Sequence, residues 1–133
     1  MIYRVCKSFE IENGHMLSKH PGRCRMPHGH SRKVELVIAS DHLDDNEMVC
    51  DFKSLKLAVE TYIDQYDHAL MINSDDPFLK TIPRRIYDYV AQQIKAGGSY
   101  TDPNGHVFTL PTHLTLERVR VSETSSSWAE YGI

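Results

Sequence analysis

HGHSRKVELVIAS, residues 28–40, decides how the rest of the chain is read. Within it Val34, Leu36 and Ile38 alternate with Lys33, Glu35 and Val37, the period of two that marks a strand buried on one side. A strand over residues 30–40 is therefore predicted. Upstream, Tyr3, Val5, Phe9 and Ile11 share one parity, interrupted by Lys7, while Arg4, Cys6, Ser8 and Glu10 occupy the other. This is a second strand-like pattern, and the Gly- and Pro-punctuated loop at 17–27 lets the two strands pair. Residues 41–47 read as a turn and 48–52 as a short extended return.

The remaining elements alternate in kind. Ser54 is a suitable N-cap for a helix over 55–66, where Leu55, Val59, Tyr62 and Ile63 form one face. A second helix runs from Ile82 or Pro83 to Lys95. Ile86, Val90 and Ile94 repeat at four-residue steps along it, and Gly97-Gly98 ends it. Residues 98–113 read as an exposed excursion with a turn at Asp102-Pro103-Asn104-Gly105, which Val107 and Thr109 can extend into a hairpin. A third long strand is predicted at 114–122, with Leu116, Val119 and Val121, and a short closing strand at 128–131. The expected fold is α+β, a four-stranded antiparallel sheet with both helices on one face.

Composition narrows the function classes. At 133 residues the chain reads as one domain over 1–133, long enough to bury about 70% of its unfolded surface. Hydrophobic residues at 41% and charged residues at 25% are ordinary globular values. No apolar run reaches the roughly 18 residues of a membrane span, and the N-terminus lacks a signal-peptide core. Three cysteines, Cys6, Cys24 and Cys50, make a disulfide framework a poor reading and a cytoplasmic setting the expected one. A net charge of −3 gives no basic footprint for nucleic acid.

Histidine is the informative excess, with eight residues. His28 and His30 are two apart where a strand begins, so they fall on one face with α-carbons about 6.5 Å apart. Such a pair alone is often a hydrogen-bonded or exposed one. His15, which follows the first strand, brings a third imidazole to the same end of the sheet. Three neutral histidines suit Zn²⁺ and leave a coordination position open, which is a catalytic arrangement. Cys24, four residues before His28, is either a small filler, a fourth ligand, or a thiolate base beside the cation. Asp67-His68 is either a helix-end pair or a carboxylate orienting a proton-transferring imidazole. Glu123 is either a solvated strand end or an acceptor for two N–H groups of an amino-heterocycle. Cys6 and Cys50 read as packing residues.

CRMPHGHS at 24–31, CDFKSLK at 50–56, YDHALMIN at 66–73 and VRVSETSSSWAEY at 119–131, with His15 upstream, resemble the 6-pyruvoyl-tetrahydropterin synthase family. Its bacterial branch includes the 6-carboxy-tetrahydropterin synthases of queuosine biosynthesis. The resemblance implies the tunnelling fold, with sheets joined across subunits into a barrel. It also implies a homo-oligomer, trimer or hexamer, with active sites at subunit interfaces. It assigns His15, His28 and His30 as zinc ligands, Cys24, Asp67 and His68 as catalytic groups, and Glu123 as the anchor of the pterin ring.

The implied activity is conversion of 7,8-dihydroneopterin triphosphate to 6-carboxy-5,6,7,8-tetrahydropterin, with loss of triphosphate and acetaldehyde. The alternatives are a 6-pyruvoyl product, a paralogue acting on another pterin, and, from another class, a non-catalytic zinc- or pterin-binding module. Two departures bear on substrate choice. Lys80-Thr81-Ile82-Pro83-Arg84-Arg85 stands where the family carries a Thr-Thr-Glu-Asn type of sequence, so Thr81 only partly replaces a substrate contact. The 98–113 excursion is longer than the family's usual link, and its Pro111-Thr112 precedes a strand rather than a helix.

Overall fold

The computed structural model of the chain describes the backbone of residues 1–17, 28–66, 70–73 and 82–133, and the side chains of 1–12, 31–66 and 82–133. Two long strands, β1 (Tyr3–Leu17) and β2 (His28–Ser40), open the fold. Their antiparallel register runs unbroken from Tyr3↔Ser40 to His15↔His28. Then come α1 (Phe52–Asp64), β3 (Leu70–Asn73) and α2 (Ile82–Ala96). A small hairpin, β4 (Ser99–Thr101) and β5 (Val107–Thr109), follows. The described chain ends with β6 (Thr115–Thr124) and β7 (Ser127–Gly132).

The main sheet has the order β3-β1-β2-β6-β7. Its antiparallel part is the expected four strands. The addition is β3, which pairs in parallel with β1 over Gly14↔Leu70 to Leu17↔Asn73. Four residues that follow a helix directly carry too little periodicity to be told from the helix's own apolar end.

Alternation sets the two faces. On one side Ile11, Val34, Leu36, Ile38, Leu116, Val119 and Val121 are buried. Against them α1 lays Leu55, Ala58, Val59 and Ile63, and α2 lays Ile82, Ile86, Val90 and Ile94. Both helices thus cover one face. The other face is polar and ion-paired, as in Arg4–Glu117 at 2.7 Å and Arg120–Glu130 at 3.1 Å. Exposed pairs of this kind contribute little, so packing on the helix side holds the sheet. Tyr62 of α1 stacks on Tyr89 of α2, with centroids 4.1 Å apart and planes 4° from parallel. No helix among the described residues is long and apolar enough to cross a membrane.

Several expectations move by a few residues. Helix α1 begins at Phe52, not 55, because Asp51 rather than Ser54 is its N-cap: the Asp51 carboxylate accepts from Lys53 N–H at 2.9 Å, while Ser54 is buried in the first turn. Residues 48–52 are accordingly not an extended return. Helix α2 ends as expected. Gly97, at φ +62°, takes the left-handed position, and its N–H donates to Ile94 O while that of Gly98 donates to Gln93 O. Cys50 packs in the core, whereas Cys6 lies exposed on the polar face with Sγ 3.8 Å from the Glu35 carboxylate.

The excursion is an ordered hairpin docked on both helices. Tyr100 donates its hydroxyl to Gln93 of α2. Asp102, 6% exposed, accepts at 2.9 Å from the N–H groups of Asn104 and His106. Its second oxygen lies 3.4 Å from His106 Nδ1 and 3.8 Å from Lys53 Nζ of α1. The N–H of His106, ahead of that of Asn104, holds the Asp102 carboxyl below its usual range. The folded chain therefore binds this proton less tightly than the unfolded chain, and the stabilisation is in place above the ordinary carboxyl value and fades as pH falls through the depressed one. Asp102→Asn keeps an oxygen acceptor but not the charge. Wild type is expected to melt above this variant at pH values above the ordinary carboxyl range and to lose that advantage progressively as pH is lowered below it. A difference in melting temperature that stays constant over this range contradicts the assignment.

Candidate active site

The β1–β2 register places the three predicted ligands. His15 stands directly opposite His28, and His30, paired with Asn13, lies two residues further along β2. Opposed residues of an antiparallel pair share a face, as do residues two apart on one strand. By parity His15 continues the series Phe9, Ile11, and His28 and His30 precede Val34 and Leu36, so all three positions fall on the helix-covered face at one end of the sheet. The first strand runs further than expected, so His15 is inside β1 rather than after it, and β2 begins at His28 rather than 30. These histidines are described by their backbone alone. Cys24, Asp67, His68 and Thr81 lie outside the described residues.

Glu123 occupies the same end of the sheet. It is half-buried near the end of β6, where the β6–β7 register shifts between Ser122 and Thr124. Ser122 and Thr124, its neighbours, line a cleft of about 480 Å³ on the polar face, together with Glu10, Arg32, Lys33, Arg120 and Trp128. There the Arg120 guanidinium lies 4.5 Å from the Trp128 ring centroid. The cleft and the histidine positions are thus on opposite sides of the sheet.

Sequence reading overlooked Arg32. It is 2% exposed, two residues from His30, on the parity of Val34 and Leu36 and paired with Ile11. Its NH1 lies 3.5 Å from the Ser122 carbonyl oxygen. The signal was available, since a charged residue at a core parity of a strand next to a histidine pair is unusual and needs an accounting.

The donor set fits a zinc ion. Histidine is an ordinary zinc ligand, and three such ligands would leave one position of a tetrahedral cation open. Among the described residues no group of three or more His, Cys, Asp or Glu side chains is placed to hold a metal. His42 and His113 stack with centroids 4.3 Å apart, and His106 belongs to the hairpin turn. Neither described thiol is suited to act as a base at neutral pH. Burial pushes the Cys50 thiol up to about 11, and burial with the adjacent Glu35 raises that of Cys6.

Comparison with known proteins identifies the family. A model of the 6-pyruvoyl tetrahydropterin synthase family matches residues 4–132. The 6-carboxy-5,6,7,8-tetrahydropterin synthase of Rickettsia conorii is 30% identical over 115 residues, 86% of this chain and 78% of that protein. The Bacillus subtilis protein of the same name is 28% identical over 139 residues, covering 97% and 84% respectively. Among solved structures, the 6-pyruvoyl tetrahydropterin synthase of Caenorhabditis elegans superposes with a TM-score of 0.65 at 18% identity, over 100% of this chain and 96% of that one. An uncharacterised protein from Wolinella succinogenes gives 0.62 at 20% identity, over 99% and 98%. Carrying this fold and matched over almost its whole length, the chain belongs to the 6-pyruvoyl tetrahydropterin synthase family of enzymes.

Proposed function

We propose that the protein is a zinc-dependent carbon–oxygen lyase of the 6-carboxy branch. It would convert 7,8-dihydroneopterin triphosphate and water to 6-carboxy-5,6,7,8-tetrahydropterin, triphosphate and acetaldehyde, a precursor step for queuosine. The observation that carries the reading is the pairing of His15 with His28, with His30 two residues on, at the end of the sheet that also holds Glu123. The carboxy product is supported by the names of the relatives near 30% identity.

Each residue has a distinct part. His15, His28 and His30 hold the ion through neutral ring nitrogens. When bound, zinc supplies Lewis acidity toward the oxygens of the substrate side chain and stabilises negative charge that develops there. Glu123, acceptor-only when ionised, takes two N–H donors of the aminopyrimidine ring and so fixes which part of the pterin reaches the histidine end. The Cys24 thiolate takes a proton from the side-chain carbon. His68, its ring oriented by Asp67, returns a proton as triphosphate leaves. Thr81 contributes a hydroxyl to the ring. All electrons needed come from rearrangement within the substrate, so no external reductant enters.

Purified zinc-loaded protein is expected to release triphosphate and acetaldehyde in equal amounts from 7,8-dihydroneopterin triphosphate, read by ion chromatography and mass spectrometry. Triphosphate without acetaldehyde assigns the 6-pyruvoyl product instead, and release of neither removes the lyase reading. Cys24→Ala is expected to keep its zinc and lose about 10²–10⁴-fold in kcat. His28→Ala is expected to lose the metal itself, measured by elemental analysis, because two ligands remain.

The same reading makes the protein a cytoplasmic homo-oligomer, a trimer or a hexamer of two trimers, whose sheets close into a barrel with active sites between subunits. Support comes from the sheet edges. Among the described residues only β2 pairs with residues 3–13 of β1, and β7 is the last strand on the other side. Ile2, Tyr3, Trp128, Tyr131 and Ile133 at these edges are exposed apolar side chains. Such edges are ready templates for a strand of another copy. Analytical ultracentrifugation is expected to give a mass three or six times that of the chain, and a monomer at micromolar concentration contradicts the assembly.

A further inference from the structure

Tyr66 is buried, 4% exposed, at the point where α1 gives way to the Asp67-His68 pair. Its N–H donates to Ile63 O at 2.9 Å and so closes the last turn of the helix. Its hydroxyl donates to the Tyr62 hydroxyl at 3.2 Å, and the two rings meet edge-on with centroids 5.8 Å apart. Tyr62 is the ring that stacks on Tyr89 of α2. The Arg85 guanidinium, near the start of α2, donates to the same Tyr66 oxygen. Burial, and after it the Tyr62 hydroxyl, raise the Tyr66 hydroxyl well above the ordinary tyrosine range, so it stays a donor at any working pH. The end of α1 is thus tied to α2 by tyrosine hydroxyls and rings as well as by aliphatic packing.

The hydroxyl is the informative atom. A phenyl ring would fill the same space without the cost of burying an O–H, so the oxygen adds direction rather than bulk. Beyond Tyr66 the link Asp67-His68-Ala69 is three residues long, and Leu70 at its far end pairs with Gly14, beside Met71↔His15. Strand pairing at the histidine end of the sheet anchors one end of this link, and the Tyr66 ring anchors the other. We propose that Tyr66 is a positioning residue, whose hydroxyl latches the end of α1 to α2 and so fixes the base of the link that presents Asp67 and His68. This rests on the reading of Asp67 and His68 as the proton-transfer pair. A link this short transmits a shift at its base to its side chains with little slack, and a misplacement of about 1 Å can cost about 10²-fold in rate. Tyr66 itself, being buried, acts through its neighbours and does not touch the substrate.

The test uses the full-length, zinc-loaded protein and variants that each remove a single hydroxyl oxygen. Tyr66→Phe is expected to lower kcat for 7,8-dihydroneopterin triphosphate about 10-fold, with KM within about twofold and zinc content unchanged. Tyr62→Phe takes away the acceptor and is expected to lower kcat in the same direction, the double variant being no worse than Tyr66→Phe alone. Tyr100→Phe is the control. It removes the hydroxyl bond from the hairpin to Gln93 of α2, and is expected to lower the melting temperature about as much while kcat stays within about twofold. A Tyr66→Phe enzyme with unaltered kcat, or a Tyr100→Phe enzyme that loses as much, overturns the proposal. A second measurement is independent of turnover. In protein isotope-labelled at histidine, the His68 imidazole resonance, assigned by its absence from His68→Gln, is expected to move in Tyr66→Phe and to stay in Tyr100→Phe. Wild-type protein that makes no product removes the lyase reading, while an unmoved His68 resonance removes the latch.

Discussion

The register of one strand pair governs this molecule. Thirteen consecutive pairs, Tyr3↔Ser40 through His15↔His28, join β1 to β2 without a bulge. Side chains alternate strictly along both strands, so this single alignment decides which residues enter the core and which histidines stand together. Phe9, Ile11, Val34 and Leu36 and the three histidine positions are successive members of the same face. A slip of one residue would carry the apolar set to the polar side and disperse the histidines at once. Packing on the helix side thus enforces the alignment that sets the three histidine positions together.

How much of this was visible beforehand follows from physical range. The long strands and α2 were legible because each carries its own pattern: period two in Val34, Leu36 and Ile38, and four-residue steps from Ile82 to Ile94 closed by Gly97. The start of α1 was misplaced because Asp51 and Ser54 are both able to cap, and burial of Ser54 against the core is a tertiary fact. The strand β3 depends on β1 for its existence, a partner more than fifty residues away in sequence. On the site, the proximity of His15 to His28 could be argued from pairing alone. The parts assigned to Cys24, Asp67 and His68 came from the resemblance, since isolated residues of these kinds admit several roles. Arg32 was legible and passed over, because attention to an alternating pattern favours its apolar members.

The two faces of the sheet also separate two electrostatic regimes. On the polar side, Arg4, Arg120, Glu117 and Glu130 pair where water screens them, so their contribution is small and interchangeable. On the helix side the buried guanidinium of Arg32 stands at the end of an apolar core, where a charge interacts more strongly. The net charge of −3 conceals this division. What matters for the site is where the few charges lie that share a face with the histidine positions.

The hairpin after α2 has a narrow neck. Leu110 N–H donates to Gly98 O at 2.9 Å, so the segment between them leaves and rejoins the body of the protein at nearly one point. Leu110 and Leu114 remain buried beyond that neck, and β6 starts there at the end of the sheet remote from Glu123. The lobe is in effect a detachable appendix: it could be shortened, lengthened or exchanged for an unrelated module while the main scaffold and its reactive end keep their places. This makes the 98–110 interval the natural place for lineages sharing this scaffold to differ in size, and a convenient handle for attaching a probe.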